Sequence, residues 1–171
     1  LLTGAVGSAL AAEEQLERAL QRCTEAVVQH LDAAFARIWT RNFRTDTLEL
    51  QASAGLYTHL DGPHARVPVG QYKIGRIAQA AEPHLTNDVQ SDAWISDPEW
   101  ARREGMVAFA GYPLIIEGKV IGVLALFSRH QLASDALTAL ASIADAVAIG
   151  IERTQAARRA RVERDTLEIV N

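Results

Sequence analysis

The sequence predicts an α+β domain in which antiparallel strands are combined with a long helix near each end of the chain. Three observations lead to this fold class. Strand-like segments occur as two neighbouring pairs, and each pair is joined by a short polar turn. Apolar residues recur at spacings of three and four near both ends, as in amphipathic helices. Between the strand pairs, Gly, Pro and Asp break residues 55–105 into short elements.

Length, composition and charge limit the class of protein. The chain has 171 residues, which fits one domain with extensions, and its 49% hydrophobic content is ordinary for a globular protein. A net charge of -4 argues against nucleic acid as a partner, because phosphate binding needs a basic surface. One cysteine cannot form an internal disulfide, so we expect a reducing, cytoplasmic location. No uninterrupted apolar run approaches the roughly 20 residues that span a bilayer, so we expect no membrane insertion.

The first helix is predicted from about Ala9 to Leu31. Its apolar stripe contains Leu16, Leu20, Cys23, Val27 and Leu31. Because Cys23 lies within this stripe, we expect it to act as a small buried hydrophobe. The chain starts at Leu1 and its only methionine is Met106, so we expect the natural start to lie upstream.

The first strand pair is predicted at residues 34–41 and 47–54. The first strand is apolar on both faces except for its arginines. The second alternates, so that one face is apolar and the other faces water; the apolar positions are Leu48, Leu50, Ala52 and Ala54. Polar residues 42–46 are suited to the connecting hairpin turn.

The second strand pair is predicted at residues 107–116 and 120–127, with Gly118 supplying positive φ in the turn. The last strand is apolar on both faces. One face carries Ile121, Val123, Ala125 and Phe127, and the other carries Val120, Leu124 and Leu126. Both faces of the sheet must therefore be covered.

The middle segment is expected to cover one of these faces. It contains a short helix from Tyr72 to Ala81, an extended piece at residues 84–86, and a helix that starts at Asp97 and Pro98. Gly105 is suited to end that helix in a left-handed conformation. Short elements laid over a sheet commonly build binding sites.

The last helix opens at Ser134 and Asp135. Its core-facing stripe consists of Leu137, Leu140, Ile143, Ala144, Val147 and Ile151. Beyond Glu152 the helix becomes basic. If it is helical to the end it is about 50 Å long, and it must project from a domain roughly 38 Å across.

Five stretches, taken in order, resemble the GAF domain family. They are VPVG at 67–70, IGRIA at 74–78, EPHLTNDV at 82–89, FAGYPL at 109–114 and GKVIGVLALF at 118–127. The resemblance covers about Leu10 to Arg153. It implies a GAF-like fold, related to the profilin and PAS folds, with a central antiparallel sheet of five or six strands. Terminal helices would pack on one face, and short helices and loops would form a pocket on the other.

The resemblance also implies a function and a domain organisation. Residues 1–8 would be an upstream linker, 9–153 a sensory domain, and 154–171 a helical linker to a following domain. Such domains bind small molecules or dimerise within signalling proteins such as the histidine kinases of two-component systems. Residues 163–171 are similar to the helix that opens a following GAF domain, which implies a covalently linked output domain. The resemblance specifies neither the ligand nor a cofactor.

The predicted ligand pocket lies where the middle segment crosses the apolar face of the sheet. Its predicted lining is Tyr72, Leu85, Trp94, Trp100, Phe109, Ala110, Gly111 and Tyr112. Trp94 and Trp100 would flank a lid and could stack on a planar ligand or simply cap the sheet. The small side chains of Ala108, Ala110 and Gly111 would leave space for a ligand or let a helix approach closely.

Catalysis is not predicted, because the sequence has no phosphate-binding loop, no H-E-x-x-H motif and no nucleophile elbow. Two alternatives stay open. The first is a haem- or tetrapyrrole-binding sensor, since His84 lies near the expected pocket and could ligate haem, as in some GAF sensors. Other GAF-like proteins reduce free methionine sulfoxide with pocket cysteines, but here Cys23 stands alone on a helix. A metal site at His59 and His64 is not predicted, because further ligands at fixed spacing are missing.

The terminal helices are predicted to form a homodimer and to transmit the signal. The outer half of the last helix has too few apolar residues to be stable alone in water, and pairing with a twin helix would bury them. The seam candidates are Leu140, Val147, Ile151 and Val162, together with Leu16, Leu20 and Val27 of the first helix.

Overall fold

The computed structural model describes residue 2, residues 4–6 and residues 15–170. The helices are α1 (Leu16–Leu31), α2 (Tyr72–Ala80), α3 (Pro98–Arg103) and α4 (Ser134–Val170), with a 3-10 turn at Val89–Ser91. The strands are β1 (Phe35–Asn42), β2 (Thr47–Gly55), β3 (Arg66–Pro68), β4 (His84–Thr86), β5 (Ala108–Ile116) and β6 (Lys119–Ser128). Residues 9–14 of the predicted first helix lie outside the described residues, as does part of the predicted linker at 1–8.

The strands form one antiparallel sheet in the order β3-β2-β1-β6-β5-β4. This confirms the predicted α+β class and the antiparallel sheet of five or six strands. The two hairpins, β1–β2 and β5–β6, are the predicted strand pairs. In the second hairpin Glu117 and Gly118 both have positive φ, at 51° and 77°, which is the backbone of a two-residue turn that matches the twist of the strands.

Each face of the sheet has its own hydrophobic core. On the first, here called the helix face, α1 and α4 pack against the sheet through residues such as Leu20, Val27, Ile143 and Val147. On the second, here called the open face, α2, α3 and their loops pack around Phe109. The terminal helices and the middle segment therefore cover opposite faces, which agrees with the prediction from the last strand, whose two faces are both apolar.

A β-bulge in β2 changes which side chains share a face. Ile38 pairs with Ala52 and Trp39 pairs with Leu50, so Gln51 is an extra residue in its strand. The leucines before the bulge pack on the open face, whereas Ala52 packs on the helix face. The prediction that all these apolar residues point one way was therefore wrong, because a bulge inverts the alternation beyond it.

A second bulge lies at the start of β6. Leu114 pairs with Gly122 and Ile115 pairs with Val120, which leaves Ile121 as the extra residue. Val120 consequently joins the open-face core and Ile121 joins the helix-face core. The sequence prediction had assigned these two residues the opposite way round, and the bulge is the physical reason for the error.

Helix α4 has 37 residues and is about 55 Å long. From residue 156 to residue 169 every side chain is exposed. By length and composition alone, Ser134–Ile169 is apolar enough to cross a membrane, although charged residues interrupt its apolar positions. A helix on a protein core passes the same test, and the apolar stripe of α4 is buried against the sheet.

Most of the residues predicted for a dimer seam are buried in the core of a single chain. Leu140, Val147 and Ile151 of α4 are buried in the helix-face core, as are the α1 candidates Leu16, Leu20 and Val27. Val162 is the exposed member of the set. Of the predicted seam residues, this one in the outer part of α4 is therefore the one that remains exposed to a second copy.

Candidate ligand-binding site

A cavity of about 350 Å³ lies on the open face of the sheet. Strands β1, β5 and β6 form its floor, and α2, the start of α3 and the loop after β2 form its walls. Its main lining side chains are Phe35, Arg37, Trp39, Tyr57, His64, Tyr72, Lys73, Trp100, Phe109, Ala125 and Phe127. This volume is in the range of small-molecule sites.

Close packing holds α2 over the cavity. The backbone N–H of Gly70 donates to the carbonyl of Gly75 at 2.8 Å. A Cβ atom added at Gly75 would overlap the carbonyl oxygen of Pro68. The absence of a side chain at Gly75 thus lets the helix lie directly on β3, which brings Lys73 and Ile74 into the cavity wall.

An aromatic enclosure surrounds the cavity floor. The rings of Phe35 and Phe127 are stacked with centroids 5.2 Å apart, and Trp100 meets Phe127 edge to face at 5.0 Å. The indole N–H of Trp100 donates to the hydroxyl of Tyr57 at 2.7 Å. These contacts connect α3 to the loop after β2, so the rings form continuous apolar walls with fixed positions.

A buried cation stands in this apolar surrounding. Arg37 is only 6% exposed, and its Nε–H donates to the Ser53 hydroxyl at 2.9 Å. Its guanidinium carbon lies 5.7 Å from the ring centroid of Phe35 and 5.8 Å from that of Tyr57. Burial lowers the pKa of Arg37, and Tyr57 partly offsets this. None of the ion pairs among the described residues includes Arg37.

Two histidines lie in the cavity wall beside this cation. Burial lowers the pKa of His64, and the neighbouring Arg37 and His59 lower it further, so His64 is neutral at pH 7. The carbonyl of His64 accepts the indole N–H of Trp39 at 2.9 Å, which anchors the loop on the sheet. Among the described residues, no group of three or more His, Cys, Asp and Glu side chains is placed to hold a metal ion.

A buried ion cluster supports the other end of the cavity. The Asp92 carboxylate accepts from Lys73 Nζ at 3.0 Å and contacts His84 Nε2 at 2.6 Å. Burial alone raises the pKa of Asp92, but hydrogen bonds from the Trp94 backbone N–H, His84 and Lys73 lower it to about 2. Burial lowers the pKa of Lys73, and Asp92 partly offsets this. The charge of Lys73 is thus matched by Asp92.

The structure brings three of the eight predicted pocket residues to this cavity. Tyr72, Trp100 and Phe109 line it. Ala110 and Tyr112 belong to the helix-face core, and the Tyr112 hydroxyl donates to the carbonyl of Leu137 at 2.9 Å. The predicted run took consecutive residues of β5, whereas successive side chains of a strand point to opposite faces.

The remaining three predicted residues lie near the cavity but not in its lining. A Cβ atom at Gly111 would overlap the side chain of Ile77, so α2 occupies that space. Leu85 borders a separate cavity of about 100 Å³. Trp94 stacks on His84 with ring centroids 4.3 Å apart, outside the lining. The part that these three residues play in binding remains a prediction.

The side chains behind the two alternative hypotheses are also outside the cavity lining. His84 contacts Asp92 through Nε2 and stacks on Trp94, and it does not belong to the cavity lining. Cys23 is fully buried on the helix face, across the sheet from the cavity. Burial raises the pKa of its thiol to about 12, so the thiolate is not populated at neutral pH.

Sequence reasoning missed the residues that give the cavity its charge and its walls. A signal for β1 was present, because Phe35, Arg37 and Trp39 alternate on one side of a strand and the arginine interrupts an apolar segment. No comparable signal marks Tyr57 or His64, which lie in a loop without periodicity. Their positions follow only from the course of the chain over the sheet.

Comparison with known proteins supports one family and one fold. The profile of the GAF domain family matches residues 15–151, the greater part of the chain. No curated protein matches the chain significantly. The GAF domain of a phosphoenolpyruvate-protein phosphotransferase (ptsP) from Coxiella burnetii superposes with a TM-score of 0.79 at 20% identity, covering 92% of this chain and 95% of that one.

Two further solved structures share the fold. The free methionine-R-sulfoxide reductase from Neisseria meningitidis, in complex with its substrate, gives a TM-score of 0.76 at 18% identity, covering 91% of this chain and 89% of that one. The nlh2 GAF domain of A. aeolicus, in an inactive state, gives 0.71 at 16% identity, covering 92% and 94%. At these identities the likeness shows the fold alone.

Proposed function

This chain belongs to the GAF domain family, and we propose that it is a non-catalytic sensory domain of a cytoplasmic signalling protein. It binds a small organic molecule in the cavity on the open face and controls a covalently linked output domain. The observation that carries this proposal is the cavity itself, about 350 Å³ of space walled by aromatic side chains and lined by a buried arginine, Arg37, that forms no ion pair among the described residues. A histidine kinase of a two-component system is a suitable output, and so is a second GAF domain.

The absence of enzymatic activity is part of the proposal. A reductase is among the solved structures that share the fold, so the fold is compatible with catalysis. The support for a non-catalytic role comes from Cys23, whose thiol is fully buried on the far side of the sheet and has a pKa raised to about 12. A buried thiol of this kind is a poor nucleophile.

Filling the cavity tests the binding role. In a thermal-shift screen of small organic molecules, we expect at least one compound to raise the melting temperature of the wild-type chain by about 3 °C or more. Ala125 forms part of the cavity floor, and the Ala125→Phe variant should lose this response because the added ring occupies the ligand space. Ala156→Phe, a matched change at an exposed position of α4, should keep it. An equal response in both variants would contradict binding in this cavity.

We further propose that residues 9–153 form the sensory unit and that residues 154–171 link it to the output. All side chains from 156 to 169 are exposed, in contrast to the buried stripe that ends at Ile151. Arg158 and Glu17 approach to 3.5 Å, so the base of the projecting helix is connected to α1. Exposed Val162 and Ile169 are seven residues apart and share one side of α4, which favours pairing with a second copy.

Sedimentation at micromolar concentration tests this pairing. We expect the wild-type chain to sediment as a dimer. The Val162→Glu/Ile169→Glu variant should have a dimer dissociation constant at least roughly tenfold higher, because it places like charges in the seam. Ala157→Glu introduces the same residue type on another side of the helix and should leave the dimer intact. A wild-type chain that remains monomeric, also when its flanking segments are restored, would contradict the pairing.

A further inference from the structure

We propose that the cavity selects organic monoanions, and that the Arg37 guanidinium binds the carboxylate of a small, flat, mainly apolar molecule. This inference deepens the proposed function and rests on it. It names the chemical class of the ligand from the charge balance and shape of the cavity.

The charge balance is the first step. Arg37 is 6% exposed, lines the cavity and has a protein acceptor only for Nε–H among the described residues. Its remaining guanidinium donors are therefore available on the cavity side. A buried cation without a counter-ion costs folding free energy unless something compensates its charge. A carboxylate in the cavity would supply this compensation, since it accepts two parallel hydrogen bonds from a guanidinium.

The other charged groups around the cavity leave one net positive charge inside it. The ammonium of Lys73 is matched by Asp92 at 3.0 Å, and His64 is neutral at pH 7. Asp61 and Asp97 also line the cavity, but both are exposed at its rim, where solvent screens them. A single positive charge favours a carboxylate over a phosphate monoester, which carries about two negative charges at neutral pH.

The shape and walls of the cavity define the rest of the ligand. The rings of Phe35 and Tyr57 lie 5.7 and 5.8 Å from the guanidinium carbon, and Trp100 extends this aromatic wall through its 2.7 Å hydrogen bond to the Tyr57 hydroxyl. Such walls favour a flat apolar body, because stacked or edge-to-face rings bury area without ordering a flexible chain. A volume of about 350 Å³ accommodates a body of one or two rings.

A matched pair of probes tests the inference. Isothermal titration of the full chain should show benzoate binding at least roughly tenfold more tightly than benzamide, which has the same shape without the charge. In the Arg37→Met variant the two probes should bind equally, because the charged donors are gone. Arg103→Gln removes an exposed arginine outside the cavity and should preserve the preference for benzoate. The melting temperature of ligand-free Arg37→Met should be equal to or higher than that of the wild type.

The outcomes separate this inference from the proposed function. Equal binding of benzoate and benzamide would overturn anion selection and leave the cavity as a binding site. Failure of both probes to bind would also overturn anion selection. The proposed function is tested separately, by whether Ala125→Phe loses the thermal-shift response that Ala156→Phe keeps. If Arg37→Met does not fold, the Arg37→Lys variant replaces it. Benzoate should then bind several-fold more weakly than to the wild type, since lysine lacks the planar fork, and an unchanged affinity would overturn the inference.

Discussion

Replacing Asp92 with asparagine should lower the free energy of unfolding by about 3 kcal/mol, because it leaves the buried Lys73 ammonium without its counter-ion. The side chains of Lys73 and Asp92 are each only 8% exposed, and their charged atoms are 3.0 Å apart. The same carboxylate also contacts His84, so the substitution weakens the contact between α2, β4 and the segment that follows. Urea denaturation at pH 7 measures the effect.

A control variant and a double-mutant cycle distinguish the loss of this ion pair from a general loss of packing. Asp88→Asn, at a nearby exposed position, should change stability by no more than about 0.5 kcal/mol. A double-mutant cycle of Lys73→Met and Asp92→Asn should give a coupling energy of at least about 1 kcal/mol. Strictly additive effects would show that the ion pair does not stabilise the fold.

The free energy of unfolding at acid pH gives an independent measurement of the contribution of the Asp92 carboxylate. The folded state lowers the pKa of Asp92 from 3.8 to about 2. A carboxyl with a lowered pKa contributes stability above its unfolded value, and the contribution is lost as the pH falls from about 4 through about 2. The difference in stability between the wild type and Asp92→Asn should therefore narrow over this interval. A difference that stays constant down to pH 2 would contradict the assignment.

Replacing Gly75 with alanine should destabilise the protein by about 2 kcal/mol, although alanine is the better helix former. Helix propensity alone would predict a gain of about 1 kcal/mol in the middle of α2. A Cβ atom at Gly75 would, however, overlap the carbonyl oxygen of Pro68, and backbone atoms on β3 cannot move aside cheaply. The helix must shift outward, which displaces Lys73 and Ile74 from the cavity wall.

The sign of this effect is the decisive observation in chemical denaturation. A more stable Gly75→Ala variant would show that α2 is not held against β3 as closely as described. Gly118→Asn is the matched control, because Gly118 lies in a turn with a φ of 77° and open space around it. Asparagine tolerates this left-handed conformation, so the control should change stability by less than about 1 kcal/mol. The benzoate affinity of Gly75→Ala should also fall, since the wall of the cavity moves.

The location of the candidate site and part of its lining could be predicted from the sequence. The middle segment was predicted to form a pocket over an apolar sheet face, and a cavity is present there, with Tyr72, Trp100 and Phe109 in its lining. Trp100 was accessible from sequence because Asp97 and Pro98 mark the start of its helix, and the Asp97 carboxylate does accept the Trp100 backbone N–H at 3.0 Å. The loop residues that close the cavity have no local pattern from which their positions could be predicted.

The sequence by itself determined the order of the long helices and the two hairpins, and the family, because helix stripes, strand alternation and turn residues are local signals carried by neighbouring positions. It did not mark the short strand β3. Only the tertiary structure decided the chemistry of the cavity. Ser53 was predicted to face water, opposite the apolar side of its strand, yet it is fully buried and accepts a hydrogen bond from Arg37. The extra residue Gln51 inverts the strand and brings Ser53 opposite Arg37 in the β1–β2 register. Such a bulge depends on how two strands pair, so no single strand encodes it, and the hydrogen bond that holds the buried cation depends on it.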